Sequence, residues 1–169
     1  PDVGDYSAKA IRDFDELERD AYLACRHIFT FGEYVRQDLV THYGIQGDRV
    51  TAVGSGMGRV RPYTGAKDYE SGRLLFIAKH LFSEKGGDLL VDAFRLAVRE
   101  RPDLTLTSVG SEKAARAAAG CRNIDVRPFV PWDKLESLLR QSAILVQPML
   151  NDPWGQVYLE ALVSATPVI

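Results

Sequence analysis

The sequence predicts an α/β fold, a doubly wound parallel sheet of the Rossmann-like kind, and two observations carry that prediction. From Arg73 onward, short apolar stretches of strand length alternate with helical stretches of about ten residues. Strands that alternate with helices build a parallel sheet covered on both faces, because each parallel connection needs a crossover. The composition agrees: 46% of the 169 residues are hydrophobic, enough for a real core, and 26% are charged. No internal repeat or low-complexity tract competes with this pattern.

The elements follow in order. Between Ala10 and Ala24, Ile11, Phe14, Leu17 and Tyr22 recur at helical spacing among charged residues, which predicts a helix. The run His27–Phe31 is β-branched and aromatic and predicts a strand. A second helix is expected over Glu33–Tyr43, with Val35, Leu39 and Val40 on one stripe and Gly44 as its stop. Val50–Val53 predicts a strand running into Gly54-Ser55-Gly56-Met57-Gly58, and residues 59–72, rich in Gly, Pro and Tyr, read as a linker.

Four strand–helix pairs come next. Strand Arg73–Ala78 precedes helix Gly87–Arg99, whose expected buried face is Leu90, Ala93, Phe94 and Ala97. Strand Leu104–Val109 precedes a short Ala-rich helix, Glu112–Ala119. Strand Ile124–Val130 precedes helix Trp132–Gln141, with Leu135, Leu138 and Leu139 inward. Strand Ala143–Gln147 precedes helix Gly155–Ala165, and Pro167–Ile169 opens a fifth strand. The start at Pro1 and the stop on a strand just begun predict an excerpt, truncated at both ends.

Charge and cysteines narrow the function. A net charge of −2, from 21 basic and 23 acidic residues, argues against nucleic-acid binding, which needs a basic excess. Cys25 and Cys121 lack metal-ligand spacing and read as reduced thiols, which points to the cytoplasm. No apolar run reaches the roughly 20 residues of a membrane span. Peripheral contact with a membrane surface is neither supported nor opposed by the charge pattern.

Ligands of doubly wound sheets bind at the carboxyl ends of the strands, so the loops there carry the candidates. After the strand ending at Ala78 comes Lys79-His80-Leu81-Phe82-Ser83-Glu84-Lys85-Gly86-Gly87, which opens a helix. Glycines at a helix start let backbone N–H groups face an anion, and two lysines supply the charge a diphosphate needs. The plainer alternative is a solvated loop with a glycine turn. The second stretch is Asn151-Asp152-Pro153-Trp154-Gly155-Gln156-Val157-Tyr158-Leu159-Glu160. Asp152 and Glu160 are separated by seven residues, and Gln156 and Glu160 share one helical face. An anion at the helix start near Gly155 would leave Glu160, one turn further in, to accept hydrogen bonds from sugar hydroxyls. A surface glutamate is the alternative. It is disfavoured by an otherwise apolar helix that is expected to be packed on both sides.

Taken together, the loop at Glu84-Lys85-Gly86-Gly87, the acid–seven–acid spacing of Asp152 and Glu160, and the run from Ala161 to Thr166-Pro167-Val168-Ile169 resemble glycosyltransferase family 4 of the GT-B fold. The resemblance runs from about Ala21 to Ile169. Phe29-Thr30-Phe31, Val50–Gly58 and Val109-Gly110 add to it. It implies one half of a two-domain enzyme. Residues 1–58 would be the tail of the N-terminal, acceptor-side domain, 59–72 the inter-domain linker, and 73–169 the nucleotide-sugar-binding domain.

The implied activity is transfer of a sugar from a nucleotide diphosphate sugar to a hydroxyl on a glycan, lipid-linked or other acceptor, with retained configuration. No cofactor and no metal are implied, and such a piece alone is expected to be inactive. Lys85 would bind the diphosphate and, with Asp152, act in catalysis. Lys79 would assist where the family has arginine, with His80 a competitor for that place. Glu160 would hold the ribose, and Asp152 with Trp154, Gly155 and Gln156 the sugar and phosphates. The backbone at Arg127–Phe129 would read the base. The sequence departs from the family at Asp152, usually Glu; at Ala78, usually Gly; in the spacing from Lys79 to Lys85; and at Ser164-Ala165, where the family ends in Gly. Two alternatives remain: another GT-B enzyme such as a nucleotide-sugar epimerase, and a non-catalytic GT-B-like binding module.

Overall fold

The computed structural model describes residues 6–150 and 155–169. The chain divides into two compact units, Pro1–Gly56 and Met57–Ile169. No helix among the described residues is long and apolar enough to cross a membrane.

The first unit holds helix α1 (Ala8–Ala24), strand β1 (Ile28–Thr30), helix α2 (Glu33–Thr41) and strand β2 (Val50–Ala52). Ser7 caps α1, its hydroxyl accepting from the Ala10 amide at 3.1 Å. β1 and β2 pair in parallel, Ile28 beside Val50 and Thr30 beside Ala52. Their small core is Leu39, Ile45 and Val50, with Tyr22, Ile28 and Tyr43 against it. Glu18 closes its edge, accepting hydrogen bonds from the Tyr22 hydroxyl at 3.2 Å and the Tyr43 hydroxyl at 2.6 Å. The apolar stripe that predicts α1 is only partly used: Phe14 is 58% exposed and Leu17 66%.

The second unit is the doubly wound sheet. Strands β3 (Arg73–Ile77), β4 (Thr105–Val109), β5 (Ile124–Arg127) and β6 (Ile144–Leu145) lie in the order β5-β4-β3-β6, all parallel. A further parallel bridge joins Leu145 to Val168, where the sequence predicts the next strand to open. Helices α3 (Gly87–Glu100) and α4 (Lys113–Ala117) pack on one face, and α5 (Trp132–Gln141) and α6 (Gln156–Val163) on the other. β3 explains why the strand reads as apolar throughout. Leu75 and Ile77 point into the core under α5 and α6, while Phe76 and Ala78 point into the core under α3 and α4.

Several expectations are corrected. On α3 the buried residue is Val91 where Ala93 was expected; Ala93 is exposed. β5 stops at Arg127 rather than Val130, because Pro128 has no N–H to continue the ladder. β6 spans Ile144–Leu145 rather than Ala143–Gln147, because the strands part at its end and a side chain takes over the pairing. Gln147, buried, accepts from the Ile77 amide through Oε1 at 3.3 Å and donates to the Ile77 carbonyl through Nε2 at 3.0 Å. α6 is not packed on both sides, since Leu162 is 59% exposed.

The stretch expected as a linker, residues 59–72, packs as a strap on the second unit. Val60 is buried, the Tyr63 amide donates to Val163 O at 2.9 Å, and the Arg140 guanidinium lies 5.3 Å from the centre of the Tyr63 ring.

Candidate functional site

The strand order puts the topological switch between β3 and β6, where successive crossovers leave the sheet on opposite faces. That is where a crevice opens at the carboxyl ends of a doubly wound sheet. A cleft of about 510 Å³ lies there. Lys79 and Lys85 from the loop after β3 line it together with Gln156 and Glu160 of α6. Ile77, Leu81, Phe129, Val130, Trp132, Leu135 and Val157 make its apolar wall.

The loop after β3 is built differently from the sequence expectation. Its glycines do not offer amides to an anion. The Lys85 amide is bonded to Leu81 O, Gly86 to Ser83 O and Gly87 to Phe82 O, at 3.0, 2.9 and 2.7 Å. The glycines are needed for space. A Cβ on Gly87 would meet the Phe82 ring at 2.5 Å, and one on Gly86 would meet Pro148 Cβ at 2.7 Å. Phe82 is itself buried and packs edge-on against Phe76, with 5.7 Å between centroids. The loop is a folded knot, and Lys85 is buried within it rather than solvated. Its carbonyl accepts from the Met149 amide at 3.2 Å, which ties the loop after β3 to the loop after β6.

Lys79 has a left-handed backbone, φ 50°. The neighbouring chain must make room for it: a Cβ on Gly110 would stand 2.7 Å from Lys79 N and Cα. Lys79 lines the main cleft, whereas His80 lines a separate hollow with Ser111, Lys113 and Pro128. The side chain that joins Lys85 is therefore Lys79 and not His80. Phe129, 69% exposed, borders both cavities.

α6 starts at Gly155, a left-handed N-cap with φ 57°. Its other end is a Schellman turn: Thr166 N donates to Ala161 O at 2.8 Å and Ala165 N to Leu162 O at 3.0 Å. Ala165 occupies the left-handed position of that turn, φ 53°, where the resemblance expects glycine. Glu160 is half-buried. Burial pushes its carboxyl above the ordinary value, and the charges of Lys79 and Lys85 pull it back. The acid and the two lysines thus share one electrostatic environment.

Asp152 and Trp154 lie outside the described residues. Sequence reasoning missed Gly58 and, apart from Phe129, the apolar wall. Gly58, φ 67°, sits where a Cβ would be 3.5 Å from Gln156 Nε2 and 3.9 Å from Glu160 Oε1. Its signal was the glycine run at 54–58, to which the sequence reading gave no part in the site. The wall residues had no separate signal, because core and cleft draw on the same apolar residue types.

Sheet order, switch-point cleft and the lysine–glutamate cluster define a doubly wound α/β unit whose crevice suits an anionic, hydroxyl-bearing ligand. The chain belongs to the glycosyl transferases group 1 family, whose profile it matches over residues 71–169. It is 29% identical over 153 residues to a D-inositol 3-phosphate glycosyltransferase of Paenarthrobacter aurescens, covering 78% of this chain and 37% of that protein. Two GT-B crystal structures share the fold. An S. aureus TarM variant in complex with UDP superposes with a TM-score of 0.70 at 14% identity, over 91% of this chain and 31% of TarM. The pneumococcal O-GlcNAc transferase GtfA with UDP and GlcNAc gives 0.67 at 20% identity, over 92% and 32%. The chain spans about a third of the length of the proteins it matches.

Proposed function

We propose that the second unit binds a nucleotide diphosphate sugar and that the whole protein transfers the sugar, with retained configuration, to a hydroxyl acceptor. The observation that carries this reading is the convergence of Lys79, Lys85 and Glu160 on one cleft with an apolar wall. Membership of the glycosyltransferase family supports it, as do the UDP complexes of TarM and GtfA.

The chemistry follows from the charges. Breaking a glycosidic bond to a diphosphate leaves negative charge on the departing phosphate and an oxocarbenium-like sugar. Preorganised cations at the leaving group stabilise that state more than the ground state. Lys79 and Lys85 supply two of them. The buried position of Lys85 strengthens its field, since fewer waters screen it. Glu160 accepts from the ribose hydroxyls, Gln156 and Gly155 hold phosphate and sugar, and Phe129 covers the base. Asp152 and Trp154 complete the sugar contacts in this reading. It needs no cofactor and no metal, and acceptor contacts come from the rest of the protein. Two unpaired cysteines suit a cytoplasmic setting.

The test is calorimetry of UDP, GDP and ADP against the full-length protein. Glu160→Ala should weaken the best of them by about 1–3 kcal/mol, the range for a hydrogen bond to a charged group. Unchanged affinity would remove Glu160 from the site. With a sugar donor, free diphosphate should appear only when acceptor is present; conversion of the donor without acceptor would point instead to an epimerase. The anomeric configuration of the product, read by NMR, checks retention.

A further inference from the structure

We infer that Lys67 is a positioning residue for this site: it latches the strap at residues 57–67 to the C-terminal ends of α5 and α6, and so sets where Glu160 stands. The inference rests on the donor-site reading above.

The Lys67 ammonium is half-buried and reaches three oxygens. It donates to Leu139 O at 2.8 Å, to Ser164 O at 3.3 Å and to the hydroxyl of Thr166. Leu139 lies in the last turn of α5, and Ser164 is the C-cap of α6. A cation is favoured at such ends, where carbonyls lack intrahelical partners and the helix dipole is negative. Thr166, fully buried, donates its own hydroxyl hydrogen bond to Leu139 O at 2.6 Å. One side chain therefore joins the two helices that carry one wall of the cleft. Burial, and after it the charge of Arg73, lower the pKa of the Lys67 ammonium to about 8, so desolvation works against the charged form that the three oxygens hold.

The strap then tracks α6 back toward the site. Tyr63 N bonds Val163 O at 2.9 Å, Val60 is buried, and Gly58 comes against Gln156 and Glu160. The strap's hydrogen bonds tie it to Glu136 and Leu139 of α5, to Val163 of α6 and to Ser164 and Thr166 just after it. Releasing Lys67 removes the tie at one end of the strap, leaves Tyr63 and Val60 as the anchors between it and Gly58, and takes from α6 one of its lateral supports. α6 is short, and a helix of eight residues keeps its place by tertiary packing rather than by its own propensity.

The experiment uses the full-length protein with wild type, Lys67→Met, Lys67→Arg, Glu160→Ala and the Lys67→Met/Glu160→Ala double variant. The probe is whichever of UDP, GDP and ADP the wild type binds best. Lys67→Met should weaken it roughly 3- to 10-fold, and Lys67→Arg should recover most of that loss. In the Glu160→Ala background Lys67→Met should change affinity by less than about 2-fold, because the latch acts through Glu160. A loss of equal size in both backgrounds, or no loss in the first, overturns the positioning role.

Hydrogen exchange without ligand is the second measurement. In Lys67→Met the amides of Gln156–Val163 should exchange faster while those of α3 stay as in wild type. Unchanged α6 exchange overturns the latch. If no diphosphate binds the wild type, the donor-site reading falls and the positioning role with it. If the wild type binds and only the coupling is missing, the donor-site reading stands and this inference alone fails.

Discussion

The loop after β3 and helix α6 line the same cleft but are held there by different means. The loop is held mostly by its own neighbours: most of its hydrogen bonds close over three to five residues and Gly87 lets Phe82 pack against its backbone, while Pro148 and the Met149 amide are its ties from farther along the chain. α6 is fixed by residues far away in the chain, both the core around its Val157 and Ala161 and the strap, where Lys67 and Ser164 are 97 positions apart. The difference teaches how the two lysines and Glu160 are placed. The lysines ride on a loop whose hydrogen bonds are mostly local, while the glutamate rides on a helix whose position depends on long-range contacts. Local defects should therefore hurt the loop first, and loss of tertiary ties should hurt α6 first.

Breaking the knot should give the largest effect. Phe82→Ala empties a fully buried position beneath the loop and should cost about 3–5 kcal/mol by chemical denaturation. Its α6 amides should keep their exchange rates relative to the rest of the sheet; selective loss of protection in α6 would break the contrast. Gly87→Ala sharpens the same side. Its Cβ would drive into the Phe82 ring, which cannot swing away, so about 1–3 kcal/mol of stability should be lost. A neutral result in urea unfolding would mean that the loop yields.

The α6 side can be improved. Ala165 holds a left-handed conformation that costs an L-residue roughly 1–2 kcal/mol. Ala165→Gly removes that strain at the price of extra freedom in the unfolded chain, so a net gain of up to about 1 kcal/mol is expected. A fall in melting temperature would contradict it.

The smallest effect concerns Glu160. Its folded-state pKa is raised, so the protonated folded form is favoured. Its stabilising contribution is present below the ordinary glutamate value of 4.5 and is lost as pH rises through the raised value. Glu160→Gln, which stays neutral, should gain stability relative to wild type as pH rises across that window. A difference that does not change with pH would show that Lys79 and Lys85 fully offset the burial.

Much of the fold was legible because periodicity reports burial. The elements of the second unit stand where apolar spacing places them, most closely at Arg73–Ile77 and Trp132–Gln141. The misses share a cause. Ala93 and Val91 are both apolar, and spacing alone does not say which of them meets the sheet. The stretch at 59–72 has the Gly, Pro and Tyr of a linker, and nothing local marks that Val60 is buried or that Lys67 finds partners at the ends of α5 and α6.

The site divides in the same way. The residues that carry chemistry, Lys79, Lys85, Gln156 and Glu160, are visible in the sequence through charge, loop position and helical spacing, which are properties of neighbours along the chain. Three things were decided only by the tertiary structure. Lys79 rather than His80 faces the cleft, because Gly110 permits the Lys79 backbone its left-handed turn. Lys85 is buried, because the loop folds back through its own hydrogen bonds and the glycines beside it let Phe82 and Pro148 pack close. Glu160 is backed by Gly58 and the strap. Each depends on where the chain returns in space, which spacing along the sequence does not record.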